Sequence, residues 1–245
     1  GDKVFNGNTA ISSVELPDTI NYFGEEVFRD SSISDVNIPK KLRIIPSYTF
    51  NNCQELETVD FHDDVFIIAN TAFKKTNITL PELLFERVSG STIKNSNTVV
   101  DFPYDNWSYS VSTDKIRNEL SVYVNQYIGT KSDVVFPDSL FGKAVDGIDG
   151  AFNFNGKTIT SVNFPESYKE INVNFSNHFE LKKVTFLSDK VNLNNTSFYN
   201  TSIEEITLPV NEISAKNFEG CTDLKKIKFT GNGTLNIPDS AFKSF

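Results

Sequence analysis

The chain has 245 residues, 22% charged and 38% hydrophobic, with a formal net charge of -9. That length suffices for one long repeat array or two short ones, and the composition is globular, not disordered. The acidic balance argues against nucleic acid as a partner, since phosphate backbones are repelled. No apolar run approaches the roughly 20 residues of a membrane span, so no membrane insertion is expected.

In chain order, one phrase recurs. Val14-Glu15-Leu16-Pro17 returns as Val36-Asn37-Ile38-Pro39, Val59-Asp60-Phe61-His62, Ile78-Thr79-Leu80-Pro81 and Val100-Asp101-Phe102-Pro103. After a gap it returns as Val134-Val135-Phe136-Pro137, Val162-Asn163-Phe164-Pro165, Val184-Thr185-Phe186-Leu187, Ile206-Thr207-Leu208-Pro209 and Ile227-Lys228-Phe229-Thr230. A period of this size predicts a solenoid, in which each repeat is one turn and neighbours stack. Within each phrase the apolar positions alternate with polar ones, which predicts a short strand with one face in the core. The terminal proline suits a strand end, because it cannot donate to the ladder.

A second phrase follows each strand. Ile45-Pro46-Ser47-Tyr48-Thr49-Phe50 matches Ile68…Phe73, Leu193…Phe198, Ile213…Phe218 and Ile237…Phe242, with looser copies at Phe23…Phe28 and Ile148…Phe152. It predicts one buried aromatic per repeat, under a turn or a single helical turn. Phe, with 22 copies, would fill such a core. The two cysteines, Cys53 and Cys221, each follow one of these phenylalanines by three residues. Seven strand steps put them roughly 33 Å apart, beyond the ~7 Å a disulfide allows. Two free, buried thiols are expected.

These features resemble the BspA-like leucine-rich repeat family. The resemblance rests on Ala72-Phe73, Ala151-Phe152 and Ala241-Phe242, on the Phe-x-x-Cys turns, and on runs such as Leu56-Glu57-Thr58-Val59-Asp60-Phe61. The succession from Leu120 through Val134-Val135-Phe136-Pro137 to Ala151-Phe152 looks like the opening of an array in this family. The implied fold is a β-rich solenoid, a right-handed leucine-rich repeat array with short parallel strands on one face and few helical turns. The implied setting is extracellular or cell-surface, with adhesion or binding as the role.

The segment between Glu82 and Ser132 departs from the pattern. Trp107-Ser108-Tyr109-Ser110-Val111-Ser112 and Leu120-Ser121-Val122-Tyr123-Val124 predict a β-hairpin turning near Thr113-Asp114-Lys115. It serves either as an insertion in one continuous array or as the cap of a second one. We divide the chain into an array over 1–103 and a second over 104–245 that opens with this hairpin.

No reaction centre emerges. Gly150-Ala151-Phe152-Asn153-Phe154-Asn155-Gly156-Lys157-Thr158 imitates a phosphate loop, but its glycines are six apart, and a strand rather than a helix is expected next. A repeat turn accounts for it. His62 stands beside Asp63 and Asp64, yet adjacent side chains on a turn diverge, so a metal is not expected. His178 has no evident partner. The chain is expected to be a non-enzyme without catalytic, metal or cofactor-binding residues.

The candidate site is the exposed strand face: Glu15, Asp35, Asn37, Thr58, Asp60 and Asp101 in the first half, and Asn163, Lys183, Thr185, Glu205, Lys226 and Lys228 in the second. Through Asp101 its columns hold four acids and no base; from Ser161 on they hold three lysines and one acid. Such polarity suits an elongated, charged partner. The leading expectation is a monomeric binding or adhesion module for a protein or extracellular-matrix ligand. One alternative is a structural spacer in a larger surface protein. Another is a carbohydrate-binding module, with a glycan stacked on Tyr104, Trp107, Tyr109, Tyr123 or Tyr127.

Overall fold

A computed structural model describes residues 1–89, 98–114, 117–154, 156–168, 171, 174–188, 198–210, 217–237, 239 and 242. The chain is a β-rich solenoid with one short 3₁₀ helix among the described residues, and it divides into two compact units. The first comprises Gly1–Tyr104 and Tyr109–Ser121; the second comprises Asp105–Ser108 and Val122–Phe245.

In the first unit, β1 (Ser13–Val14), β2 (Asp35–Asn37) and β4 (Thr58–Asp60) form a parallel sheet. The register stacks Val14, Val36 and Val59. A second parallel sheet joins β3 (Ile44–Ile45), β5 (Ile67–Ala69) and β6 (Val88–Ser89). Its isoleucines are buried on both sides, as a continuous apolar run requires. The second phrase thus opens with a strand, where the sequence suggested only a turn. The fourth copy of the first phrase, Ile78-Thr79-Leu80-Pro81, makes no strand and leads into the 3₁₀ helix Glu82–Arg87. The fifth, Val100-Asp101-Phe102-Pro103, lies in β7 (Thr98–Tyr104), which neighbours β8 (Trp107–Thr113) and is absent from the β1-β2-β4 sheet.

The hairpin forms as expected from β8 and β9 (Leu120–Tyr127). Asp114 N donates to Glu119 O at 2.8 Å across its turn, and Ile128 N donates to Asn106 O at 2.9 Å at its open end. In the second unit, β10 (Asp133–Val135) is followed by a short antiparallel pair, β11 (Ser139–Leu140) and β12 (Lys143–Ala144). Then β13 (Gly147–Asn153) pairs parallel with β9 through a register shift. This corrects the sequence reading: Gly150–Asn153 is strand, not a repeat turn, because β9 offers it a ladder. Beyond it, β14 (Ser161–Phe164), β15 (Lys183–Phe186), β16 (Glu205–Pro209) and β17 (Lys226–Thr230) extend β10 into a five-stranded parallel sheet. Val134, Val162, Val184, Ile206 and Ile227 share one row. The phrase copies at Leu193 and Ile213 begin outside the described residues.

Aromatic stacks run through both cores. Phe5, Phe28, Phe50 and Phe73 lie 5.1, 5.2 and 5.0 Å apart, with interplanar angles of 8°, 2° and 12°. Phe175, Phe198 and Phe218 repeat this at 5.5 and 5.4 Å. Parallel rings at this spacing add about 0.5–1.5 kcal/mol per pair beyond area burial.

In these two stacks the residue two places after each phenylalanine is left-handed: Gly7, Asp30, Asn52, Lys75, Asn177, Asn200 and Gly220, with φ between 56° and 81°. Gly156 holds the same geometry, φ 68°, two residues after Phe154. Phe154, not Phe152, is therefore that turn's repeat aromatic, and it sits 5.9 Å from Phe175. Glycine, asparagine and aspartate tolerate this conformation best.

Candidate functional site

The first unit's strand face is built from period-2 alternation. Ser13, Asp35 and Thr58 form one row; Asn37 and Asp60 belong to the other, which Glu15 begins. With the valine row they line a concavity of about 550 Å3. Glu15, Asp35 and Asp60 are exposed, and none has an ion-pair partner among the described residues. Among the described residues Asp35 accepts only a neighbouring hydroxyl, Ser34 Oγ at 3.2 Å.

Asn37 is engaged differently. Leu16 N donates to Asn37 Oδ1 at 2.8 Å, and Asn37 Nδ2 donates to Leu16 O at 2.8 Å. Its side chain continues the ladder where β1 has ended, and so supports the face from within. Asp101 does not join these rows, because β7 belongs to another sheet; its side chain lies outside the described residues. Thr79 leaves the row for a like reason, having no strand to hold it.

The second unit's face is electrically different. Its first row reads Asp133, Ser161, Lys183, Glu205, Lys226; its second reads Val135, Asn163, Thr185, Thr207, Lys228. Asp133 is absent from the sequence-selected columns although it precedes Val134 as Ser161 precedes Val162, so the same alternation marks it. It accepts hydrogen bonds from Ser161 Oγ at 2.8 Å and Thr160 Oγ1 at 3.0 Å, which hold its carboxyl below the ordinary range. Lys183 lies 3.7 Å from Glu205. Just off the face, Glu204 contacts Lys225 at 2.8 Å and Lys182 at 3.6 Å, and the Lys225 hydrogen bond chiefly lowers its pKa.

The expected lysine excess therefore contracts to β17, where Lys226 and Lys228 have no ion-pair partner among the described residues. Asn163 Oδ1 is buried and has no hydrogen-bond partner among the described residues. Val135 is an apolar exception on this face, 66% exposed.

The aromatic candidates divide. Trp107, Tyr109 and Tyr127 are only 4%, 2% and 3% exposed. Trp107 packs on Phe136 at 4.5 Å and Tyr127 at 4.9 Å. Tyr104 and Tyr123 are half-buried, and Tyr104 donates to Glu86 Oε2 at 3.1 Å. The three enclosed rings cannot offer a face to a sugar, so a glycan would be left with Tyr104 and Tyr123 alone.

The remaining chemistry-bearing groups have local duties. His62 Nε2 lies 2.8 Å from Pro39 O, and its Nδ1 accepts Asp64 N at 3.2 Å. With Nδ1 accepting, Nε2 is the donor, and the ring ties the turn to Pro39. His178 sits edge-on to Phe154 and Phe175, and burial lowers its pKa. Cys53 and Cys221 are free and buried. They are not merely apolar filler: each thiol donates to a carbonyl 2.9 Å away, Phe28 O and Phe198 O respectively. Burial raises both thiol pKa values, so neither is poised as a nucleophile.

Repeats with this spacing, aromatic stack and strand face match a known pattern. The model of the BspA type leucine-rich repeat region matches six copies over residues 1–99 and 149–245. The chain belongs to that family. Among solved structures it is similar to a leucine-rich cell surface protein from Faecalibacterium prausnitzii, at 16% identity and a TM-score of 0.30, over 99% of this chain and 84% of that one. The pneumococcal vaccine antigen PcpA is 17% identical with a TM-score of 0.28. That match covers 89% of this chain but spans 58% of the antigen. No curated protein matches the sequence. Among the described residues of this BspA-type chain, no helix is long and apolar enough to cross a membrane.

Proposed function

We propose that the protein is a non-enzymatic, extracellular or cell-surface binding module that meets a protein or matrix ligand through its strand faces. One observation carries the reading. Ser13, Glu15, Asp35, Asn37, Thr58 and Asp60, selected by alternation alone, line one concavity with three carboxylates that have no ion-pair partner among the described residues. Free charges in a shallow recess remain available to a partner, and they steer association more than they stabilise the fold. Family membership supports a surface setting.

A second reading, a structural spacer, has its own support in the second unit. There Lys183 is paired with Glu205 and Asp133 is satisfied by two hydroxyls, so much of that face is engaged internally.

The test is binding of the chain to a panel of purified matrix proteins and to intact host cells, measured by biolayer interferometry and flow cytometry. Reversing Glu15, Asp35 and Asp60 to lysine should weaken binding and reverse its salt dependence. Reversing Lys226 and Lys228 to glutamate reports on the second face. Reversal of Glu55 and Glu119, off both faces, is the control. Binding unaltered by either face variant, or no binding to any panel member, leaves the spacer reading.

A further inference from the structure

The sequence contains three Asn-Gly pairs: Asn6-Gly7, Asn155-Gly156 and Asn232-Gly233. The fold explains two of the glycines. Gly7 and Gly156 follow Phe5 and Phe154 by two residues and are left-handed, with φ 69° and 68°, the geometry shared by the turns after Phe28, Phe50, Phe175, Phe198 and Phe218. Gly233 has no such reason. It follows no aromatic at that spacing, and its φ is not left-handed. A Cβ there would meet only Val210 Cγ1, at an ordinary 3.5 Å. An alanine would fit where the sequence keeps a glycine.

The surroundings of the pairs differ as well. Gly7 N donates to Arg29 O at 2.8 Å, and Asn6 Nδ2 donates to Glu26 Oε2 at 3.2 Å. Both reacting groups of that pair are held. Gly231–Thr234 is exposed throughout, just past the end of β17, and Gly233 N makes no hydrogen bond to a described residue.

We propose that Asn232 is a site of spontaneous succinimide formation in the folded protein, ageing to aspartate and isoaspartate. The backbone nitrogen of Gly233 attacks Asn232 Cγ. The new C–N bond closes a five-membered imide, and the side-chain nitrogen leaves as ammonia with the proton from the Gly233 amide. Water then adds to either imide carbonyl and opens the ring. Attack at one carbonyl gives aspartate; attack at the other gives isoaspartate, with an extra carbon in the main chain. Water is the only co-reactant. The step needs a free backbone N–H and an unhindered following residue, and this exposed pair has both. The product adds one negative charge beside the strand that carries Lys226 and Lys228, taking the formal net charge from -9 to -10.

The experiment incubates the native chain for days in warm, mildly alkaline buffer. Tryptic peptides are then read by mass spectrometry with electron-transfer fragmentation to separate aspartate from isoaspartate. Asn232 should convert about tenfold faster than Asn6, whose turn must open first. Gly233→Ala should slow conversion at Asn232 without changing the thermal midpoint, since the added methyl meets no clash. In the urea-unfolded chain Asn6 and Asn232 should convert at equal rates. Native conversion at Asn232 no faster than at Asn6, or a rate unchanged by Gly233→Ala, overturns the proposal.

Discussion

Asn37 and Asn163 hold the same place in the repeat phrase but should respond oppositely to truncation. Asn37 makes two hydrogen bonds of 2.8 Å to the main chain of Leu16. Each contributes roughly 0.5–1.5 kcal/mol net, so Asn37→Ala should cost about 1–3 kcal/mol. Asn163 Oδ1 is buried and unpaired among the described residues, so Asn163→Ala removes a desolvated group and should be neutral or stabilising by up to about 1 kcal/mol. Asn37→Asp keeps an acceptor for Leu16 N but points a second oxygen at Leu16 O. At neutral pH it should therefore cost more than alanine. The fold disfavours that carboxylate and raises its pKa, so the excess cost appears as pH rises through the folded value and vanishes in acid. Urea midpoints give the global effect. Hydrogen exchange on peptides covering 13–38 and 161–186 assigns it to a unit, because repeat arrays need not unfold as one. Equal costs at the two asparagines, or a larger cost at Asn163, would refute the ladder argument.

Lys75 is the sole lysine in the left-handed position after a stacked phenylalanine, at φ 62°. Since an ordinary side chain loses about 1–2 kcal/mol there, whereas asparagine recovers part of it by hydrogen-bonding locally, Lys75→Asn should raise the thermal midpoint, while Asn52→Lys at the equivalent place should lower it; scanning calorimetry decides. His178 bears on acid stability. Burial lowers its pKa below 6.5, so the fold favours the neutral ring. That contribution is complete above the unfolded value and is lost as pH falls below about 6.5. His178→Gln should flatten the acid limb of the urea midpoint against pH, and an unchanged slope would place the acid sensitivity elsewhere.

How far the sequence alone reaches follows from what each residue must satisfy. The valine rows and their exposed neighbours were legible because strand alternation is strictly two-fold, and the pairings Ser13 with Asp35 and Asp35 with Thr58 follow from it. Asp101 and Thr79 carried the same local pattern and still left the rows. Strand membership is decided by which neighbour is available to pair, and β7 has β8 beside it. The engaged state of Asn37 was hidden for a similar reason: whether an asparagine faces a ligand or completes a ladder depends on where the preceding strand stops. One readable signal was overlooked. Glycine, asparagine or aspartate two residues after phenylalanine marks most of the left-handed turns that follow the repeat aromatics, and it places those aromatics at Phe5 and Phe154. The same regularity isolates Asn232-Gly233, the pair whose glycine no turn requires. Within this fold, residues that satisfy a rule hold the stack together, and those outside every rule, Glu15 and Asp60 on one face and Asn232 past β17, are where chemistry with the surroundings remains open.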